Sequence, residues 1–497
     1  MPKLFMHRAA VALLPSGRPR RIGLSLAAAV TLALLACGGG SGGGGGLPFA
    51  PASGNESVPS APASGNESVP SPPASGNTAT YQVTGSLSGL ATGESVTLLG
   101  NGQPVVVAQN GTFQAASGLV TGAAYTVTVG TRPRTKACVV TNGTGVIGTS
   151  NVSNVSVACA TRQQFAYVAN VGGNTVSAYR IDAATGALTA ITGSPFTTGG
   201  APYSITVNPA GTFAYTANAG GNTVSAYNID AATGALTAIT GSPFTSGRAP
   251  SSVTVNPAGT FAYVANADDN TVSAYRINAA TGALTAITGS PFPTGVKPFS
   301  VAVNPAGTFA YVANRTDSTV SAYRIDADTG ALTIAGSPFA AGFGTNSVTV
   351  NPAGTFAYVV NAGENTVSAY RINADTGALT AIAGSPFATG SGPIAFTVNP
   401  AGTFAYVTNT GGSSVSAYRI DATTGALTAI TGSPFATAFG PWAITVNPAG
   451  TLAYTANVGS DSVSAYNIDA ATGALTAITG SPFRAGFGPY SITVAQP

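Results

Sequence analysis

The chain has 497 residues, 44% of them hydrophobic and only 7% charged, far below the usual quarter. That length allows two or three domains. The absence of any basic patch or charge run excludes nucleic acid as a partner class.

In chain order, residues 1–36 read as a lipoprotein signal peptide. Lys3, Arg8, Arg18, Arg20 and Arg21 form a basic start, and Ile22 to Ala36 is an apolar run too short for a comfortable membrane span. The run ends Leu34-Leu35-Ala36-Cys37-Gly38, which resembles the lipobox of bacterial lipoproteins. That resemblance implies lipidation at Cys37 and, with Gly38 in place of Asp, outer-membrane anchoring on the periplasmic or surface side. Removing the five basic leader residues leaves thirteen basic against fifteen acidic residues. Residues 37–78 follow as a Gly/Pro/Ser-rich tether, with PASGNESVPS at Pro51 and Pro62 and PASGN again at Pro73. Such composition cannot bury a core and is expected to be disordered.

Residues 79–160 alternate apolar and polar positions in stretches such as TYQVTGSL and AAYTVTVG, split by turns such as Gly100-Asn101-Gly102. Seven or eight strands predict a small immunoglobulin-like or prealbumin-like β-sandwich. Cys138 and Cys159 are expected to pair in an exported chain, contributing roughly 3 kcal/mol. Neither a CxxC spacing nor a nearby His points to a redox or metal role.

From residue 161 the chain repeats. The hexapeptide FAYVAN begins at Phe165 and returns at Phe213, Phe261, Phe309, Phe356, Phe404 and Leu452, at intervals of 48, 48, 48, 47, 48 and 48 residues. Each unit also carries TVSAYRID, ATGALTAITGSPF and SITVNPAGT, short β-rich runs bounded by Gly, Pro, Asn or Asp. Four short strands per 40–50 residues is the pattern of a β-propeller blade, so residues 161–497 predict an all-β, seven-bladed ring. The first FAYVAN has no SITV before it, and the chain finishes with an unpaired SITV at Ser491–Val494. That strand is expected to complete blade one from the inside. Blade four reads ALTIAGSPF from Ala331, one residue short, with the gap expected in the outer strand.

FAYVTN at Phe404 is similar to the repeat motif of the YVTN family, and the array over 165–497 resembles lactonase-type propellers, including 6-phosphogluconolactonase-like ones, and bacterial surface-layer propellers. The resemblance implies hydrolysis with His, Glu and Arg over the central channel. Here the one His, His7, lies in the leader, and the propeller holds one Glu, Glu364. No Ser-His-Asp set can form, and no catalytic residue, cofactor or metal site is assigned.

Comparing the units separates scaffold from site. NPAGT and DAATG hardly vary, whereas the loops at the other end do. The residues leading into the inner strands are Tyr203, Ser251, Phe299, Asn346, Ile394, Trp442 and Tyr490. They are expected at the channel mouth, either plugging it or gripping a glycan, peptide or protein ligand. Asp268, Asp269, Arg315, Asp317, Glu364 and Asp461 fall in the second loop set. Asp268 and Asp269 fit either a weak calcium site or solvated loops. The arginines at 180, 276, 324, 371 and 419 recur at one strand position and read as structural. The leading expectation is a lipid-anchored, non-catalytic binding propeller. The alternatives are a lactone hydrolase with atypical acid–base residues and a structural envelope protein.

Overall fold

The computed structural model describes residues 79–133 and 136–497. Residues 1–36, read as a signal peptide, and residues 37–78, read as a lipidated Cys37 and its tether, lie outside the described residues. The first part forms two four-stranded sheets around one core. Tyr81–Ser88 lies between Gly111–Leu119 and Val152–Thr161, the latter pairing with Lys136–Thr141. Val96–Gly100 and Ala124–Thr131 are the middle strands of the second sheet. Cys138 and Cys159 stand directly opposite each other across a strand pair and form the disulfide.

The rest is a ring of seven blades. In blade two, Pro202–Val207 is the inner strand, followed outward by Phe213–Asn218, Thr223–Ile229 and Leu236–Ala238. A two-residue fifth strand, Phe244–Thr245, returns to pair with the third. Four strands were expected per blade. The fifth is too short to show as a periodic run. The second strand is buried at every position, because neighbouring blades cover both of its faces. FAYVAN is accordingly apolar throughout and does not alternate.

Three bonds repeat around the ring. The second-strand tyrosine donates its hydroxyl to the turn glycine of the next blade, from Tyr167 to the Gly234 carbonyl at 2.8 Å. The series ends with Tyr454 donating to the Gly186 carbonyl at 2.9 Å, which closes the circle. Gly234 is at φ +76°, and a Cβ there would stand 2.3 Å from the Phe165 ring. The third-strand tyrosine donates the other way, from Tyr227 to the Thr197 carbonyl of blade one at 2.9 Å. Arg276, Arg324, Arg371 and Arg419 stack over Phe261, Phe309, Phe356 and Phe404 and bond a carbonyl in the next blade's turn. These arginines bridge blades.

Closure follows the expected route. Pro489–Ala495 pairs antiparallel with Gln164–Asn170, with Ile492 opposite Val168 and Ala495 opposite Phe165. Arg162 Nε donates to the Pro497 carbonyl at 2.7 Å beside this seam.

Blade four departs from expectation. Its outer strand, Leu332–Ile334, keeps the usual three residues. The missing residue falls in the following turn, where a shorter path suffices. There the Ser337 hydroxyl donates to the Ala322 carbonyl at 3.3 Å, whereas Ser194 in blade one accepts from the Ala178 N–H at 2.9 Å.

Candidate functional site

The inner strands place the variable residues by a shared irregularity. In blade two, Pro202 pairs with Asn218 and Ser204 with Ala217, so Tyr203 has no ladder partner. The same shift isolates Ser251, Phe299, Asn346, Trp442 and Tyr490, while blade six skips both Ile394 and Ala395. A bulge turns a side chain away from the regular pleat, and here it does so at one end of each inner strand.

Three of these residues meet. The Tyr203 and Tyr490 rings stack at 4.7 Å, and Trp442 lies 4.3 Å from Tyr490. They belong to blades two, one and seven and form one continuous aromatic wall. Phe299 of blade four stands apart from them, with the Arg315 guanidinium 5.2 Å from its ring centroid. Burial pushes the Tyr490 phenol well above its ordinary value. Tyr203 adds to that rise, and the positive charge of Arg315 opposes it. Arg315 is thus within electrostatic reach of the wall. Among the described residues no carboxylate pairs with it. Asn346 is 1% exposed, and neither its amide nitrogen nor its oxygen has a partner among the described residues. An unpaired buried amide costs free energy that a ligand or water would recover. Ser251 is committed, donating to the Pro298 carbonyl at 2.9 Å.

The loop acids are engaged elsewhere. Asp269 pairs with Arg248 at 2.7 Å and also accepts its backbone N–H. Asp268 pairs with Lys297. Asp317 accepts the Val296 N–H at 2.6 Å. Glu364 lies against Gly342, away from the aromatic wall's three blades. Asp461 is a turn residue at φ +47° whose carboxylate accepts the Gly488 N–H at 2.8 Å, as Asn174 does for Ala201. Asp268 and Asp269 face different cations, and among the described residues no group of three or more His, Cys, Asp or Glu could hold a metal ion.

Sequence reasoning missed a second aromatic set. Phe343, Phe439 and Phe487 are 66%, 68% and 68% exposed, each three residues before a mouth position. The signal was present in the GFG, AFG and GFG triplets that contain them. A cavity of about 440 Å³ lies at the opposite end of the inner strands, beside Asn208, Pro448 and Gln496, and shares no residue with the mouth.

The ring of seven repeated sheets with its aromatic mouth defines a seven-bladed β-propeller. The chain belongs to the lactonase, seven-bladed β-propeller family, whose model matches residues 116–245, 237–346 and 344–489. A 6-phosphogluconolactonase candidate from Bacteroides fragilis has a similar structure, with 21% identity and a TM-score of 0.59, over 67% of this chain and 98% of that one. The periplasmic gluconolactonase of Pseudomonas aeruginosa is similar at 18% identity and a TM-score of 0.57, over 67% and 100%. At such identities the likeness is one of fold. No curated protein sequence matches the chain.

Proposed function

We propose that this propeller is a lactonase-like hydrolase that takes a sugar lactone at its mouth and releases the sugar acid. The observation that carries it is Arg315, a cation without a carboxylate partner held within reach of the Trp442–Tyr490–Tyr203 wall in a member of the lactonase family. The wall offers ring faces for a pyranose to stack on. Water adds to the lactone carbonyl, the ring C–O bond breaks with one water proton passing to the leaving alkoxide, and the resulting acid releases its other proton to solvent to leave a carboxylate. Arg315 would stabilise the oxyanion and then the carboxylate. The described residues contain no His, so acceleration would come from positioning and charge stabilisation. The names of the two solved neighbours support a sugar lactone as the substrate class.

A second reading, binding without turnover, is favoured by the commitment of Asp268 and Asp269 to Lys297 and Arg248. One experiment separates the two. Hydrolysis of gluconolactone by the purified full chain is followed above the spontaneous rate. Acceleration is expected, with Arg315→Gln lowering kcat/KM by about a hundredfold. No acceleration, with a Trp442 emission shift on adding gluconate, would leave the binding module standing. Neither response would end both readings.

A further inference from the structure

Exposed aromatic rings lie outside the mouth as well. Phe439 and Phe487 precede Trp442 and Tyr490 by three residues, and Phe343 precedes Asn346 likewise. Their rings lean on Gly459, Gly172 and Gly363, where a Cβ would stand within 2.3 Å of a ring carbon. The residues after them, Gly440, Gly488 and Gly344, are left-handed at φ +70°, +68° and +74°. Each exposed ring therefore rests on glycine backbone in the facing loop, where a side chain would collide with it. The loops of blades one, two and seven read VGGN, AGGN and VGSD, and their one charge, Asp461, is bound to the Gly488 N–H. On these blades the exposed Phe439 and Phe487 stand three residues ahead of the half-buried Trp442 and Tyr490, which with Tyr203 makes a spaced track of aromatic residues at the surface and at the mouth.

We propose that this track binds an oligosaccharide, a chain of several sugar rings, with its terminal unit at the mouth. A bilayer or a flat protein face would meet the exposed rings but not the recessed ones. A chain of pyranoses reaches both, stacking its C–H faces on aromatic rings while its hydroxyls stay hydrated. Neutral Gly, Asn and Ser loops suit that partner. At the inner end, the unpartnered Asn346 amide and Arg315 supply polar contacts for a terminal sugar or sugar acid. The proposal shares the mouth with the lactone site and rests on that reading only for its location.

Trp442 is the one tryptophan in the chain, so its emission reports the mouth. The full chain is screened on an array of bacterial and plant glycans and titrated with glucose and glucan oligomers of increasing length. Affinity is expected to rise at least about tenfold from monomer to the longest oligomer, roughly 1.4 kcal/mol. The Phe439→Ser/Phe487→Ser double variant should lose that rise and keep the same melting temperature. Length-independent affinity, or no emission shift with any glycan, overturns the proposal. So does phenylalanine-dependent binding to phosphatidylglycerol vesicles in place of glycans. Lactone turnover without length dependence would sink this inference alone, and length-dependent binding without turnover would sink only the hydrolase.

Discussion

One hydroxyl distinguishes blade one from its neighbours. The asparagine that ends each second strand donates through its amide nitrogen to two third-strand hydroxyls, as Asn170 does to Thr175 and Ser177. Its oxygen accepts from a Thr or Ser in the loop before an inner strand, Thr198 for Asn218, Ser246 for Asn266, Thr294 for Asn314, Thr389 for Asn409 and Thr437 for Asn457. In blade five the Gly342 N–H does this for Asn361. In blade one the corresponding loop residue is Ala485, and the Asn170 oxygen is buried without a partner. Ala485→Thr should supply the missing donor and stabilise the ring by about 1 kcal/mol. Blades four and six accept the same Thr with Val312 and Val407 at the second-strand position that Val168 occupies in blade one, so the substitution is expected to fit there. Urea unfolding of the two proteins measures the gain, and an unchanged or lower midpoint would contradict it.

At the scale of the element, the DAATG hairpin is built around its first carboxylate. Asp182 accepts the N–H groups of Ala184 and Thr185 and the Thr185 hydroxyl, and Asp230, Asp326, Asp421 and Asp469 repeat the arrangement. These bonds hold all five carboxyls below the usual range. A folded-state value below the unfolded one contributes stability that is present above the ordinary aspartate range. That contribution is lost as pH falls through the lowered value. Stability should therefore decline below about pH 4. Asn278 and Asn373 make the backbone part of the same turn without a charge. Replacing all five aspartates by Asn should flatten the acid limb of a melting-temperature profile. An acid limb as steep as the wild type's would assign it elsewhere.

These hairpins were legible because Gly, Pro, Asn and Asp mark turns in the sequence itself. So were the seven blades, from their period, and the disulfide, from two cysteines in a small β domain. The bulges were not legible. A register shift depends on pairing between strands, and PYSITV reads as an ordinary strand. The aromatic residues were singled out by comparing repeats, but their meeting as Trp442, Tyr490 and Tyr203 depends on closure between the chain's last strand and its first blade. The pairing of Asp268 with Lys297 and of Asp269 with Arg248 was equally out of reach, since it joins loops from different segments.

At the scale of the molecule, the ring depends on its last strand. Deleting Ser491–Pro497 removes Ile492, Val494 and Ala495 from beside Ala166 and Val168 and uncovers a second strand that is otherwise buried. The loss should be on the order of 3 kcal/mol or more from apolar exposure alone. That is a large share of an ordinary domain's stability. Differential scanning calorimetry on the truncated chain should show a lower transition, and an unshifted one would disprove closure by this strand.

The bulged positions carry a consequence for how such a protein changes over time. Each is a socket that takes no part in the ladder, flanked by residues that do. Tyr, Ser, Phe, Asn and Trp already occupy it in one chain on nearly identical blades. Exchange at these sites leaves the strand ladder untouched. Shape and socket residue can therefore change independently: copying a blade duplicates the scaffold, and a single codon sets which side chain the copy carries at its bulge.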